Sequence, residues 1–387
     1  MTDALNSTDR RPGLTATATA FGPATYGADL HVTEVNPSAD PDWGNFVAAH
    51  PDGLLYHHPA WLQVLQAVYG HLPAGLVCRD RDGHVRGVLP LCQTHGLFTG
   101  RRLSSAPHTP TAGPLALDAP ATAALVAGAV ARARREPGLG LQLKAPQAGL
   151  DQLVDGLVCV PWEPTYVVDL PDASDALRFG DARNHGQVKR AVNKAARLGV
   201  DVRPAETEAD LRAWYQLYLT TVRRHVVPPR PYRLFDALWR LLRPRGLMHL
   251  LLAETDQAGR RTLLAGSIFL SFGQTICFAF NGSSEGAFDL RPNDAIHWQA
   301  IHEAHRQGFR RYDLGEVADD NPGLARFKRK WGATPQQLYR YYFPARSDPV
   351  PHAPVAGPAV RWLVSAGWRR LPLGATALVG DWLYRVL

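Results

Sequence analysis

The 387-residue chain predicts a two-domain α/β (α+β) fold, each half a mixed, largely antiparallel sheet flanked by helices. Three observations lead there. The length exceeds the roughly 100–200 residues usual for one domain. Apolar residues make up 45% and charged residues 20% of the chain, enough to build sizeable cores. Finally, one order of elements recurs twice: helices, a meander of strands, one more helix and two closing strands.

Residues 1–27, rich in Thr, Ala, Gly and Pro without periodicity, are expected to form a disordered leader. The first domain is expected over residues 28–170. A strand at Asp29–Val35 precedes a helix from Asp42 to Ala49. A second helix starts at His58-Pro59, with Trp61, Leu62, Leu65 and Val68 on one face. Leu76–Arg79 and His84–Gln93 read as strands joined by an Asp-Gly turn. Pro120–Arg135 is an alanine-rich helix, Leu139–Lys144 a strand, and Val158–Leu170 an extended run interrupted by Pro161 and Pro164.

The second domain, residues 171–345, opens with a helix over Asn184–Leu198 closed by Gly199. A strand at Val200–Arg203 follows, then a helix to Arg224 for which Thr207 supplies the N-cap. Pro228-Pro229-Arg230-Pro231 breaks the chain before a helix around Leu234–Leu242. Strands are expected at Met248–Glu254, Leu263–Phe272 and Thr275–Phe280, a helix from Asn293 to Arg306, and closing strands at Phe309–Leu314 and Gln337–Phe343. A helical tail, residues 346–387, alternates Trp and Leu with Arg. It suits either packing onto the domains or an interfacial contact with a membrane.

The charge is +7 with a pI near 9.4, a mild basic excess compatible with phosphate-bearing partners. Cys78, Cys92, Cys159 and Cys277 lack CxxC spacing and read as reduced core thiols of a cytoplasmic protein. The N-terminus has no apolar stretch of the signal-peptide kind, and no uncharged run reaches the ~18 residues of a membrane span. No metal site is expected: the histidines of His302-Glu303-Ala304-His305 have the wrong spacing for a zinc helix. His57-His58, before Pro59, reads as structural.

The stretch Gly308–Gly332, GFRRYDLGEVADDNPGLARFKRKWG, carries the chemistry. A strand around Phe309, Tyr312 and Leu314 ends in two carboxylates, Asp313 and Glu316. After the Asn321-Pro322-Gly323 turn comes a basic aromatic loop in which Arg326, Lys328, Arg329 and Lys330 interleave with Phe327 and Trp331. From residue types alone this is equally a site for an anionic substrate or a strand end with a solvated basic turn. The helix over Asn184–Leu198 likewise sets Arg183, Lys189, Arg190, Lys194 and Arg197 opposite its apolar stripe, as a phosphate contact or a plain solvated face.

The spacing Tyr312-Asp313-x-Gly315 followed by Gly323-Leu324-x-x-Phe327-Lys328-x-x-Trp331-Gly332 resembles the closing motif of the Fem-type aminoacyltransferases of the GNAT superfamily. The resemblance covers most of residues 30–345 and is strongest in the second half. It implies two tandem GNAT-like acyltransferase domains and transfer of an amino acid from aminoacyl-tRNA to an amine, forming an amide bond. The acceptor it implies is a lipid- or nucleotide-linked peptidoglycan precursor or a similar amine. The implied catalytic group is Lys328 at the acyl-donor end, with Asp313 and Glu316 orienting or deprotonating the acceptor amine. Phe327 and Trp331 would frame the site or stack on a base, and equally suit core anchors. The basic helix with Arg183, Lys189 and Arg190 would meet phosphate, while Arg224, Tyr232, Asn281 and Arg291 would line the acceptor cavity.

Asp289-Leu290-Arg291-Pro292-Asn293-Asp294, before the penultimate helix, lacks the glycines that let backbone amides close on the pyrophosphate of coenzyme A. Ordinary coenzyme A-dependent acetylation is therefore disfavoured; the resemblance implies aminoacyl-tRNA as co-substrate, and no cofactor is expected. The expected location is cytoplasmic, with possible peripheral membrane contact and no DNA partner. The alternatives are an N-acyltransferase using a carrier-protein or coenzyme A thioester for polysaccharide or secondary-metabolite assembly, and a catalytically silent binder.

Overall fold

Alternating apolar strands arrange this chain into two sheets. The computed structural model describes residues 19–20, 29–97, 100–173, 175–257, 259–344 and 367–386. The disordered leader expected over residues 1–27 lies outside the described residues except for Thr19–Ala20 (β1), and the tail is described from residue 367. The smaller sheet runs β1-β2-β4-β5-β8, with β2 at His31–Val35, β4 at Gly75–Arg79, β5 at Val85–Leu89 and β8 at Leu115–Ala116.

The larger sheet has eleven strands. Its first-half members are β3 (Leu72–Pro73), β6 (Leu91–Gly96), β7 (Gly100–Ser105) and β9 (Gly140–Ala145). Its second-half members are β11 (Val200–Pro204), β12 (Met248–Gln257), β13 (Arg260–Phe272), β14 (Thr275–Ser283) and β15 (Arg311–Glu316). Two strands join the halves: β10 (Val158–Asp169) and β16 (Thr334–Phe343), in the order β15-β10-β16-β9. The C-terminal strand of the second half thus pairs antiparallel with β9 of the first, Tyr339 opposite Ala145 and Tyr341 opposite Leu143.

Three expectations are corrected. The run His84–Gln93 is two strands, because Pro90, without an N–H to give the ladder, passes the chain from the small sheet to the large one. Strand β7 was missed: its sequence GRRLSS carries little apolar signal, although it pairs with both β6 and β9. The basic aromatic loop after β15 is a helix over Pro322–Lys330, with Asn321 accepting from the Leu324 N–H as N-cap and Pro322 in the first turn.

The helices are α1 (Pro41–Ala49), α2 (Pro59–Tyr69), α3 (Ala119–Arg135), α4 (Ala182–Arg197), α5 (Glu208–Arg224), α6 (Tyr232–Leu241), α7 (Pro292–Arg306), α8 (Pro322–Lys330) and α9 (Leu373–Val386). Thr207 caps α5 as expected, in a capping box with Asp210. One apolar core packs α3 on β4 and β9, and a second packs α4, α7 and α8 on β15. The third brings Trp61 and Leu65 of α2 against Trp214 of α5, Phe235 and Leu238 of α6 and Ile268 of β13. The two halves therefore share a core as well as a sheet. Among the described residues, no helix is long and apolar enough to cross a membrane.

Candidate functional site

Strands β14 and β15 run parallel and pair only at Thr275–Arg311, Ile276–Tyr312 and Cys277–Asp313. Beyond that point β14 stays with β13 to Ser283, while β15 follows β10. Their divergence opens a cleft of about 430 Å³ on the shared core. Its second-half wall includes Cys277, Phe278, Phe280, Asp313 and Glu316; Tyr56, Trp61, His108 and Lys144 face them from the first half.

A regular strand would send residues 313 and 316 to opposite faces. The β10–β15 register shifts between Thr165 and Val167, and Gly315 takes φ 82°, where a side chain is disfavoured. That kink lets both carboxylates reach the cleft. Asp313 accepts from Thr165 Oγ1 at 2.5 Å and from the Gly315 N–H at 2.8 Å. Burial nevertheless raises its carboxyl above the ordinary range, against the lowering by those donors and by Lys328. Burial also raises Glu316, opposed by Arg340, whose guanidinium lies 3.1 Å from Glu316 Oε1.

Lys328 projects from α8 with 3% of its surface exposed. Its Nζ donates to the carbonyls of Gly315 (2.8 Å) and Glu316 (3.0 Å), so it grips the kink from behind and does not line the cleft. Burial lowers its ammonium to about 8, with Asp313 and Glu316 pulling the other way.

Three more cations of the cleft wall went unforeseen: Lys144 on β9, Arg230 before α6 and Arg340 on β16. The Lys144 Nζ donates to the carbonyls of Ala106 (2.6 Å) and Thr109 (3.2 Å), and Arg340 Nη1 to that of Pro110 (2.5 Å). Together they hold the turn 106–110, in which Ala106 and His108 have positive φ. Neither Lys144 nor Arg230 forms an ion pair with a described carboxylate. Arg230 Nη1 is buried without a hydrogen-bond partner among the described residues. The only signal in the sequence was Lys144 itself, a cation closing the apolar run of β9.

The remaining predicted residues lie elsewhere. Phe327 and Trp331 are core anchors: Trp331 is 0% exposed and packs on Phe179 and His297, and Phe327 also packs on His297. Arg183, Lys189 and Arg190 are exposed on α4, which packs against α8. Arg224 lies over the Phe288 ring, Tyr232 packs on Tyr215, and Asn281 accepts from Ser267; none lines the cleft. Arg291 is exposed, in the left-handed region just before α7.

The N-terminus of α7 does not suit a pyrophosphate. Pro292 removes one N–H, and the carboxylate of Asp294, 4% exposed, fills the first turn paired with Lys330 of α8. Of the two histidines in the rejected zinc motif, His302 bonds the Trp298 carbonyl and His305 that of Asp172. Among the described residues one trio, Asp80, Asp82 and His84, has metal-binding spacing; Asp80 there already accepts the N–H groups of its own turn.

Comparison with known proteins sets this geometry in context. A family model described as an acetyltransferase (GNAT) domain matches residues 182–329. The UDP-N-acetylmuramoylpentapeptide-lysine N(6)-alanyltransferase of Weissella viridescens is 27% identical over 158 residues, 40% of this chain. That match spans 44% of the relative's length. The crystal structure of FemX superposes with a TM-score of 0.62 at 16% identity, covering 81% of this chain and 96% of that one. The C-terminal domain of a putative lysylphosphatidylglycerol synthetase from Agrobacterium fabrum gives 0.54 at 14% identity, covering 81% and 94%.

Proposed function

We propose, from the premise that the chain has the Fem-type tandem GNAT fold, that it is an acyltransferase moving an amino acid from aminoacyl-tRNA to an amine acceptor. The observation that carries this reading is the pair of half-buried carboxylates at the β14–β15 divergence, backed by the Lys328 ammonium. An acceptor amine must shed a proton as it attacks an ester carbonyl. Asp313 and Glu316, both more basic than ordinary carboxylates, are placed to take it. The amine nitrogen bonds to the acyl carbon, the ester C–O bond breaks, and the ribose oxygen leaves with a proton. Lys328, by gripping two carbonyls behind the cleft, positions Glu316 and adds positive charge to the wall that carries both carboxylates.

Two further features support the donor and acceptor classes. Exposed Arg183, Lys189 and Arg190 on α4 and Arg326 and Arg329 on α8 form a cationic surface beside the site, none in an ion pair with a described carboxylate. Such a surface suits a tRNA backbone. Lys144 and Arg230, in no ion pair with a described carboxylate, suit an acceptor linked to a phosphate-bearing lipid or nucleotide, as in peptidoglycan precursors. The occupied α7 N-terminus argues against coenzyme A as donor, so no cofactor is proposed. We place the protein in the cytoplasm, where both substrates would be available.

The test mixes the full chain with radiolabelled aminoacyl-tRNAs and cell-wall precursors. RNase-sensitive transfer of label to a precursor is expected. Transfer from acyl-carrier or coenzyme A thioesters alone would overturn the donor assignment. Reversing Arg183 and Arg190 to Glu is expected to raise KM for aminoacyl-tRNA about tenfold. It should also flatten the plot of log KM against log salt by about one unit per lost phosphate contact. An unchanged salt slope would leave α4 a solvated face.

A further inference from the structure

A second, smaller cavity of about 120 Å³ lies behind the cleft and shares His108, Gln142 and Lys144 with it. We infer that this cavity is a subsite for one anionic group, a phosphate or a carboxylate, belonging to the acceptor. The inference rests on the transferase reading for whose group it is, and on the cavity alone for its charge.

The space equals about four waters, the size of a single phosphate or carboxylate. Its walls are polar and include no carboxylate among the described residues. Arg102 and Ser104 of β7, Gln142 and Lys144 of β9, His71 and His108 supply donors from separate strands and turns. Lys144 is 5% exposed, and its ammonium is held by carbonyl oxygens alone. Burial, then Arg340, pushes the Lys144 ammonium well below the ordinary lysine value, with Glu316 pulling the other way, and an anion beside it would offset that cost.

The two imidazoles meet Nε2 to Nε2 at 3.2 Å, one necessarily donating to the other while both are neutral. Burial, then Lys144, pushes His71 down to about 4. Burial, then Arg230, His71 and Lys144, pushes His108 well below its ordinary value. Tyr69 stacks on His71, and Tyr384 of α9 sets its ring edge against His108. No described carboxylate enters the causes for either imidazole, so only a bound anion would reverse the trend. An entering anion would therefore carry in a proton, converting an imidazole to a second donor. His108 is presented to both cavities from a backbone of φ 63°, fixed by the lysine and arginine clamps on its turn.

The test is calorimetric titration of the full chain with sulfate, a tetrahedral ion of constant charge between pH 6 and 8, and with acetate. Buffers of different ionisation enthalpy report proton uptake. One anion is expected to saturate a single site about a hundredfold more tightly at pH 6 than at pH 8, with uptake of about one proton. Sulfate preference assigns a phosphate, acetate preference a carboxylate. His71→Asn and Arg102→Gln, each checked for an unchanged melting temperature, are expected to weaken binding at least tenfold. His71→Asn should in addition raise KM for the acceptor with kcat within twofold.

Binding without proton uptake, or equally strong in both variants, would place the ion elsewhere and overturn the inference. An unchanged acceptor KM in an active His71→Asn enzyme would overturn it too. Anion binding with proton uptake in a chain that transfers nothing would uphold the subsite and reject the transferase reading.

Discussion

Lys328→Ala is expected to lower kcat by about a hundredfold or more, the usual effect of removing one preorganised charge from an acyl-transfer site. The side chain is almost wholly buried and bonds two carbonyls of the β15 kink, so its loss also frees the backbone that carries Glu316. Single-turnover kinetics with saturating aminoacyl-tRNA would isolate the chemical step. An unchanged rate would make the residue merely structural.

The pH dependence follows from the burial of Lys328. Its ammonium is lowered to about 8, so it is charged below that pH and neutral above it. Turnover is expected to fall as pH rises through 8, a limb that Lys328→Met should lack. Stability moves the other way. Between about 8 and the ordinary lysine value, the unfolded chain holds a proton that the folded one does not. The Lys328 contribution to unfolding free energy therefore rises with pH across that window, and Lys328→Met removes that contribution from the slope.

Gly332→Ala is expected to destabilise the fold by about 4 kcal/mol or more, much of the 5–15 kcal/mol typical of a folded domain. Gly332 has φ 81°, a conformation costing an L-residue about 1–2 kcal/mol. A Cβ there would stand 2.5 Å from the Gly180 nitrogen and 3.2 Å from its Cα, backbone atoms with no rotamer to yield. Gly44→Ala is the matched control. It lies inside α1 with nothing within 4 Å of the added carbon, and is expected to stabilise by about 0.5–1 kcal/mol. Urea denaturation of the pair gives both numbers; equal midpoints would refute the packing argument.

Much of this was legible from local pattern. Period-2 and period-3.6 apolar spacing located most strands and helices, and the strand end Tyr312–Glu316 pointed to the two carboxylates that the structure brings to the cleft. The misses have physical causes. Helix α8 hid behind Pro322-Gly323, read as a turn, although Asn321-Pro322 is a helix-start signal. Phe327 and Trp331 carry the same letters whether they stack on a ligand or fill a core. The cationic wall of the cleft, with Lys144 and Arg340, was invisible because its contacts are long-range. Arg340 reaches Glu316 only because β10 lies between β16 and β15, and no local window records that neighbourhood.

The order of strands also sets a timetable for synthesis. Tyr341 of β16 donates to the carbonyl of Gln147, 194 residues earlier, and β16 fills the place between β9 and β10. While the ribosome is still making residues 160–330, those two strands must wait with unpaired edges, and unpaired edges recruit other chains. Productive folding thus awaits nearly the last strand. A chain cut before Thr334 is expected to aggregate as a whole rather than to leave an intact N-terminal half.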